Sequence, residues 1–462
     1  MKQRTAAQLR DDALGIWRAG LRAVDSARLV REAVRVDGNQ LLVAGEQCDL
    51  QRIGRIVVVG AGKAGAGMAA GLLETLGASV VVKKQVAGWL NVPADCVRSL
   101  PPITLYPARP AGSNEPTAAG VAGAEEILRL VQSLGPHDLC LCLISGGASA
   151  LLPAPAEGIT LDDKLAVTRH LSAAGANIVE LNTVRKHLSR IKGGGLARAC
   201  RAERLITLVI SDVIGDPLDA IASGPTVADT TTAAEALAVL EKYKARSSGI
   251  AEAVFNHLDH DLKSTPAANA RWNDNPAFSC ANVVIGNNAT AVEAAVNEAR
   301  RRGYVPARHA AGELEGFADD VGIRLAETAL RMRGSDGPDC LISGGEPVVR
   351  LVSLQRRGMG GRNQQLALAA LAAFGRQGCE GIALVAGGTD GEDGPTDAAG
   401  AIVDLDILSA ARRLNLDPGD YLARNDAYRF FEPLGGLLKT GPTHTNVCDV
   451  RVVVVEKEKR PA

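Results

Sequence analysis

Four short aliphatic runs in this sequence each stop at a glycine turn, and that repeated arrangement constrains the fold more than any other feature. Residues 56–59 lead into Gly60-Ala61-Gly62-Lys63, and residues 139–144 into Ser145-Gly146-Gly147-Ala148. Residues 340–342 lead into Ser343-Gly344-Gly345-Glu346, and residues 382–385 into Gly387-Gly388-Thr389-Asp390. A second glycine cluster, Gly358-Met359-Gly360-Gly361, delivers Arg362-Asn363-Gln364 to an apolar helix. A buried strand that gives way to glycines leaves backbone N–H groups able to meet an anion. In open α/β sheets ligands bind outside the carboxyl ends of strands, so turns carrying Lys63, Ser145, Arg362 and Asp390 read as a site. The working reading is a phosphate-handling enzyme. The competing reading is ordinary βα punctuation; the ISGG echo at 144–147 and 342–345, and a cation in two of the turns, weigh against it.

Apolar residues make up 46% of the 462 and aromatics only 3%, so the core is aliphatic, as in parallel sheets covered on both faces. At roughly 150 residues per domain the length allows about three domains, or two larger α/β ones. Lys and Arg number 51 against 52 Asp and Glu, which argues against a nucleic-acid partner and leaves a small anion as ligand. The nine cysteines include no CxxC pair, and several fall in apolar runs, the usage of a reducing compartment. No run of 18 apolar residues occurs, so the expectation is a cytoplasmic protein with no membrane partner.

Residues 4–35 pattern as one or two amphipathic helices covering a sheet face. GAGKAG after the first secure strand, 55–59, is a literal GxGxxG, so a dinucleotide must be weighed. Reading 79–82 as the next strand puts Lys83-Lys84 where NAD needs an acidic ribose ligand, which disfavours NAD and leaves NADP open. A Walker A loop is excluded by the spacing and by the alanine after Lys63. Further on, a helical pattern runs from 180 to 192 and places Arg185 and Lys192 on one face. The pair is either a basic helix end closed by Gly193-Gly194-Gly195 or a phosphate contact. Asp212, just past the run 205–210, either holds Mg²⁺, accepts a hydroxyl proton, or caps its turn. Residues 262–278 lose periodicity and read as a linker between a domain at 1–265 and a domain at 280–462.

Taken together, GAGKAGAGM, LISGGASALLPAP, ELNTVRKHLSRIKGGGLA, SDVIGDPLDAIASGPT, ISGGEPVV, GGRNQQLALAAL, GGTDGEDGPTDAAGA and TGPTHTNVCDV resemble the glycerate 2-kinase family, whose C-terminal part is the MOFRL domain. The resemblance runs from about residue 55 to 455. It implies a two-domain α/β fold, a Rossmann-like N-terminal domain and a smaller α/β MOFRL domain with the site in the cleft. It also implies phosphorylation of D-glycerate to 2-phosphoglycerate with ATP and Mg²⁺. The family's catalytic lysine falls on Lys63 and its catalytic arginine on Arg362. The matching motifs bring Gly60, Gly62, Ser145, Gly146, Gly147, Asp212, Asn363, Asp390 and Asn446 to the site, with Asp212 or Asp390 as metal ligand. Three departures stand out: Ala148 for the third glycine of SGGGSAL, His444 for the second of GPTGTNV, and ARPAGSNEP at 108–116 in place of GHPxP.

Members of this family were long labelled hydroxypyruvate reductases, so an NAD(P)H-dependent reductase is the runner-up, and a non-catalytic ligand-binding member is the third reading. The assembly state is left open, a homodimer included. For the mechanism, Lys63 takes either the transferred phosphoryl group or the glycerate carboxylate, and Arg362 the other. On this reading Arg362→Lys loses activity without a change in melting temperature.

Overall fold

A computed structural model of the chain describes residues 4–263, 278–309, 315–375 and 377–457. The chain divides into two compact units, residues 26–285 and residues 1–25 with 286–462. The linker expected at 262–278 falls for its greater part, 264–277, outside the described residues.

The unit at 26–285 begins with an antiparallel meander, β1 (Val34–Asp37), β2 (Gln40–Val43) and β3 (Glu46–Asp49). Its main sheet contains β4 (Ile56–Ala61), β5 (Ala87–Pro93), β6 (Ile103–Arg109), β7 (Leu139–Ile144), β8 (Arg204–Ile210) and β9 (Ser279–Gly286), in the spatial order β6-β5-β4-β7-β8-β9. Strands β4 to β8 are parallel. Counted from β4 the order is 3-2-1-4-5-6, that of the dinucleotide-binding doubly wound sheet, so the Rossmann-like expectation holds. β4 and β7 are buried at every position, as strands covered on both faces must be. The order reverses between these two strands, which puts the crevice outside their carboxyl ends, where Lys63 and Ser145 lie.

Two local expectations change here. Residues 79–82 are not a strand: the helix Gly65–Lys83 continues through them after a break at Gly77 (φ 70°, ψ 157°), and the second strand is β5. That helix is, among the described residues, long and apolar enough by length and composition to cross a membrane. Gly65 to Leu72 supply most of its buried positions, in keeping with a helix laid on a sheet. The helix expected from 180 to 192 is Ile178–His187, opened by an Asn177–Glu180 capping box and closed at Leu188. Arg185 and Lys192 therefore share no helical face.

The other unit holds a six-stranded mixed sheet of β10 (Pro306–His309), β11 (Cys340–Gly345), β12 (Ile382–Gly388), β13 (Gly400–Val403), β14 (Leu437–Leu438) and β15 (Asp449–Val455), ordered β10-β11-β15-β12-β13-β14. β15 runs antiparallel between β11 and β12 and is buried throughout. The first helix, Ala6–Ala23, belongs to this unit and not, as expected, to a domain spanning 1–265. It buries Leu9, Ile16 and Trp17, and the Trp17 indole N–H donates to the Val450 carbonyl at 3.1 Å. Helix Arg362–Phe374 packs on helix Ala318–Gly334 in the same unit, and Leu366, Leu371 and Phe374 of the one share a buried cluster with Val321 and Leu325 of the other.

Candidate active site

In the unit at 26–285 the two glycine turns at the switch point clasp each other. The Gly62 N–H donates to the Asn91 carbonyl (3.1 Å), Lys63 N–H to the Gly146 carbonyl (2.9 Å) and Ala64 N–H to Ser145 Oγ (3.0 Å). The fit is close enough that a Cβ on Gly62 would lie 2.1 Å from Ser145 Oγ, and Gly62 also has φ +138°. These three amides are spent inside the protein, so at Gly62 to Ala64 the expectation of amides free for an anion does not hold. Ser145 accordingly holds the start of helix Gly65–Lys83. At residues 62–64 anion binding therefore falls to side chains. The Lys63 stem passes the second glycine of the facing turn, with Cγ 3.9 Å from a Cβ position on Gly147.

A second cation stands at the same place. Arg109 closes β6, is 3% exposed, and brings Nη2 to 3.1 Å from that Gly147 position. Sequence reading passed over it because it lies in the segment that departs from the family's GHPxP, where no motif match marks it. Ala148, the methyl-bearing departure, opens the short helix Ala148–Leu151. It is not among the residues with positive φ, so its methyl adds no backbone strain.

Lys192 sits behind the Ser145 turn. Its ammonium donates to the Ser149 carbonyl and hydroxyl (both 2.9 Å) and to the Ala222 carbonyl (3.3 Å). Burial, with Lys164 and Arg185 nearby, pushes it well below the usual lysine range. Its amine is thus committed to scaffold, and it buttresses the turn from within. Arg185 instead lines a small cavity with Lys164, whose ammonium burial pushes down to about 7. Asp212 lies two residues past β8 and is half-buried.

In the other unit the site is built around Arg362, at the first position of helix Arg362–Phe374. Its Nε and Nη2 donate to the two carboxylate oxygens of Asp449 (2.8 and 3.0 Å), and Nη1 donates to Glu346 (2.7 Å). Asp449 is 0% exposed and opens β15; the Arg362 side chain is 32% exposed. Burial works against the charged guanidinium, but Asp449 and Glu346 outweigh it and hold Arg362 above its ordinary value. Burial raises the Glu346 carboxyl, against the pull of Arg362. A guanidinium has five N–H donors; three are committed here, which leaves two on a group gripped as a fork.

Asn363 is fully buried and both its backbone and side-chain amides donate to Asp393 (3.0 and 3.4 Å), so it serves the helix start. Asp390 Oδ1 accepts the Glu392 N–H (3.1 Å), and Asn446 Oδ1 accepts the Cys448 N–H (3.2 Å), so each also shapes its own turn. The Asn446 turn is flanked by two left-handed non-glycine residues, His444 (φ 55°) and Cys448 (φ 68°). His444 thus carries the strain that glycine avoids at the family's position, roughly 1–2 kcal/mol. No cluster of three or more His, Cys, Asp or Glu suited to a metal occurs among the described residues. Mg²⁺ needs only one or two carboxylates plus phosphate oxygens, so a single Asp at a strand end is a donor of the right kind.

Two family profiles match the chain: a domain of unknown function, DUF4147, over residues 12–259, and the MOFRL family over residues 339–449. The glycerate kinase of Rattus norvegicus is 36% identical, over 97% of this chain and 92% of its own length. The glycerate 2-kinase of Pyrococcus horikoshii is 35% identical over 98% and 99%. An Agrobacterium vitis protein provisionally named as a hydroxypyruvate reductase is 40% identical over 87% of each chain. Among solved structures, that of a Thermotoga maritima glycerate kinase superposes with a TM-score of 0.79 at 33% identity, covering 97% of this chain and all of that one. Similarity of this extent, in sequence and in fold alike, shows that the chain belongs to the glycerate kinase family.

Proposed function

We propose that this protein transfers the γ-phosphoryl group of ATP to the 2-hydroxyl of D-glycerate, giving 2-phosphoglycerate, with Mg²⁺ on the nucleotide. The observation that carries the reading is Lys63 at the switch-point turn with Arg109 beside it, in a chain with glycerate kinases as full-length relatives. Phosphoryl transfer asks the protein for positioning and for positive charge around spread negative charge, and little covalent chemistry. Lys63 supplies a point charge, and Arg362 a rigid planar donor pair. One of them serves the phosphoryl group and the other the glycerate carboxylate. Asp212 or Asp390 holds Mg²⁺ or orients the hydroxyl. A cytoplasmic setting, with neither nucleic acid nor membrane as partner, completes the reading.

The reductase reading draws on the name of the Agrobacterium relative. Lys83 and Lys84 end a helix and so do not stand where NAD needs an acid; the second strand is instead followed by the exposed Asp95. A GxGxxG loop binds pyrophosphate through its amides, and those of Gly62, Lys63 and Ala64 are already bonded within the protein. Parallel assays decide between the classes. ATP consumption that requires both D-glycerate and Mg²⁺, with no NADH or NADPH oxidation on hydroxypyruvate, is expected. Hydroxypyruvate reduction without phosphorylation would contradict the proposal.

A further inference from the structure

Helix Arg362–Phe374 starts behind Gly361, which has no side chain to cap it. The first amides of a helix need acceptors from elsewhere, and here they come from the loop after β12. Asp393 Oδ1 accepts the Asn363 N–H at 3.0 Å, and Oδ2 accepts the Gln364 N–H at 2.8 Å. The side-chain amide of Gln364 adds a bond to the Asp393 carbonyl at 3.3 Å. A Cβ on Gly361 would lie 2.4 Å from the carboxylate carbon, so the acid reaches the helix because residue 361 is glycine. Arg362 is therefore held twice: its guanidinium by Asp449 of β15, and its backbone by a cap from the β12 loop.

We propose that Asp393 is a positioning residue for Arg362, its ionised carboxylate fixing the first turn of the helix so that the two uncommitted guanidinium N–H groups keep their aim. The proposal rests on the kinase reading only for what Arg362 acts upon. Protonation turns one oxygen into a hydroxyl, a donor and a much weaker acceptor, and so loosens its hold on one of the two amides. Asp393 is 3% exposed, and burial pushes its pKa up to about 7. The Asn363 and Gln364 amides oppose that rise, Asp449 of β15 adds to it, and Arg362 of the helix, which also holds Glu346, lowers it. The cap is thus ionised above about pH 7 and weakened below it.

The signs of the two pH effects are opposite, which distinguishes them. The native state holds this proton more tightly than the unfolded chain, where an aspartate titrates near about 3.9. Ionising Asp393 therefore subtracts from stability as pH rises from about 4 to about 7, while Arg362-dependent activity rises through the top of that window.

The test compares the wild type and Asp393→Asn between pH 6 and 8.5 with ATP, D-glycerate and Mg²⁺, together with hydrogen exchange of the segment 358–366. The wild type is expected to gain kcat through an inflection near 7. At pH 8 the variant is expected to lose about 10²-fold in kcat with KM changed less than about threefold, to lack the inflection, and to exchange faster over 358–366. A variant with wild-type kcat that keeps the inflection overturns the proposal. If the variant fails to fold, exchange of 358–366 in the wild type decides: protection that rises through pH 7, after correction for intrinsic rates, supports the cap, and flat protection overturns it. A wild type that phosphorylates nothing contradicts the kinase reading instead, and the exchange data then judge Asp393 alone.

Discussion

Arg362→Lys is expected to lose at least about 10²-fold in kcat/KM, equivalent to roughly 2.7 kcal/mol of transition-state stabilisation. Arginines that stabilise transferring phosphoryl groups contribute roughly 10³ to 10⁵ in rate, and the bound here is set below that range because lysine keeps the charge. Lysine keeps the charge but cannot bind both Asp449 oxygens and still present two parallel donors. From the sequence alone this variant should melt like the wild type. The structure changes that expectation: the fork on a fully buried carboxylate is lost, and a lower melting temperature should accompany the kinetic defect. Steady-state kinetics and a thermal melt on the same preparation check both parts. Wild-type kcat/KM would return Arg362 to a purely structural role.

Asp449→Ala is expected to be the more damaging change to the fold. Removing one partner of a buried ion pair costs about 3–5 kcal/mol, because the other charge stays behind. Glu346 remains on Arg362, and the guanidinium is about a third exposed, so the lower end, about 3 kcal/mol, applies. Activity should fall at least as far as in Arg362→Lys, since nothing else takes Nε and Nη2. Urea unfolding gives the stability and initial rates give the activity. Asp449→Asn, which keeps the shape and loses the charge, should fall between wild type and Ala in both. A variant as stable and as active as wild type would mean that the carboxylate does not hold the arginine.

Much of the frame was legible because it rests on local chemistry. The aliphatic run at 139–144 is a strand where pattern puts it, and the run at 205–210 is one that starts a residue earlier, at Arg204. The glycine turns that end β4, β7, β11 and β12 also lie where pattern puts them. The errors share a cause, which is that pattern records a residue's type and not its partner. Residues 79–82 read as a strand because β-branched side chains favour one, yet the helix resumes beyond Gly77. The first helix is amphipathic, but amphipathicity does not say which sheet it covers, and the Trp17 bond to Val450 does. Lys192 read as a cation on a helix face, whereas its donors point inward to Ser149 and Ala222.

The same limit applied to the site. Lys63 and Arg362 stand out in their turns as lone cations after glycines. Asp393 and Asp449 do not, because each is one acid among several in an ordinary motif, and only long-range pairing shows what it holds. Arg109 was hidden for the opposite reason, lying where the sequence departs from its relatives. The amides of residues 62–64 could be counted in the sequence, but that they are already spent could not.

The central claim is a phosphoryl transfer to a particular oxygen, and the measurement closest to it is the phosphorus NMR spectrum of the product. The purified protein is incubated with ATP, Mg²⁺ and D-glycerate, and the resonance is assigned by adding authentic 2- and 3-phosphoglycerate. The account predicts one new monoester signal, coincident with 2-phosphoglycerate, growing as ATP is converted to ADP and absent when glycerate is left out. A signal at 3-phosphoglycerate, or inorganic phosphate released whether or not glycerate is present, would contradict it.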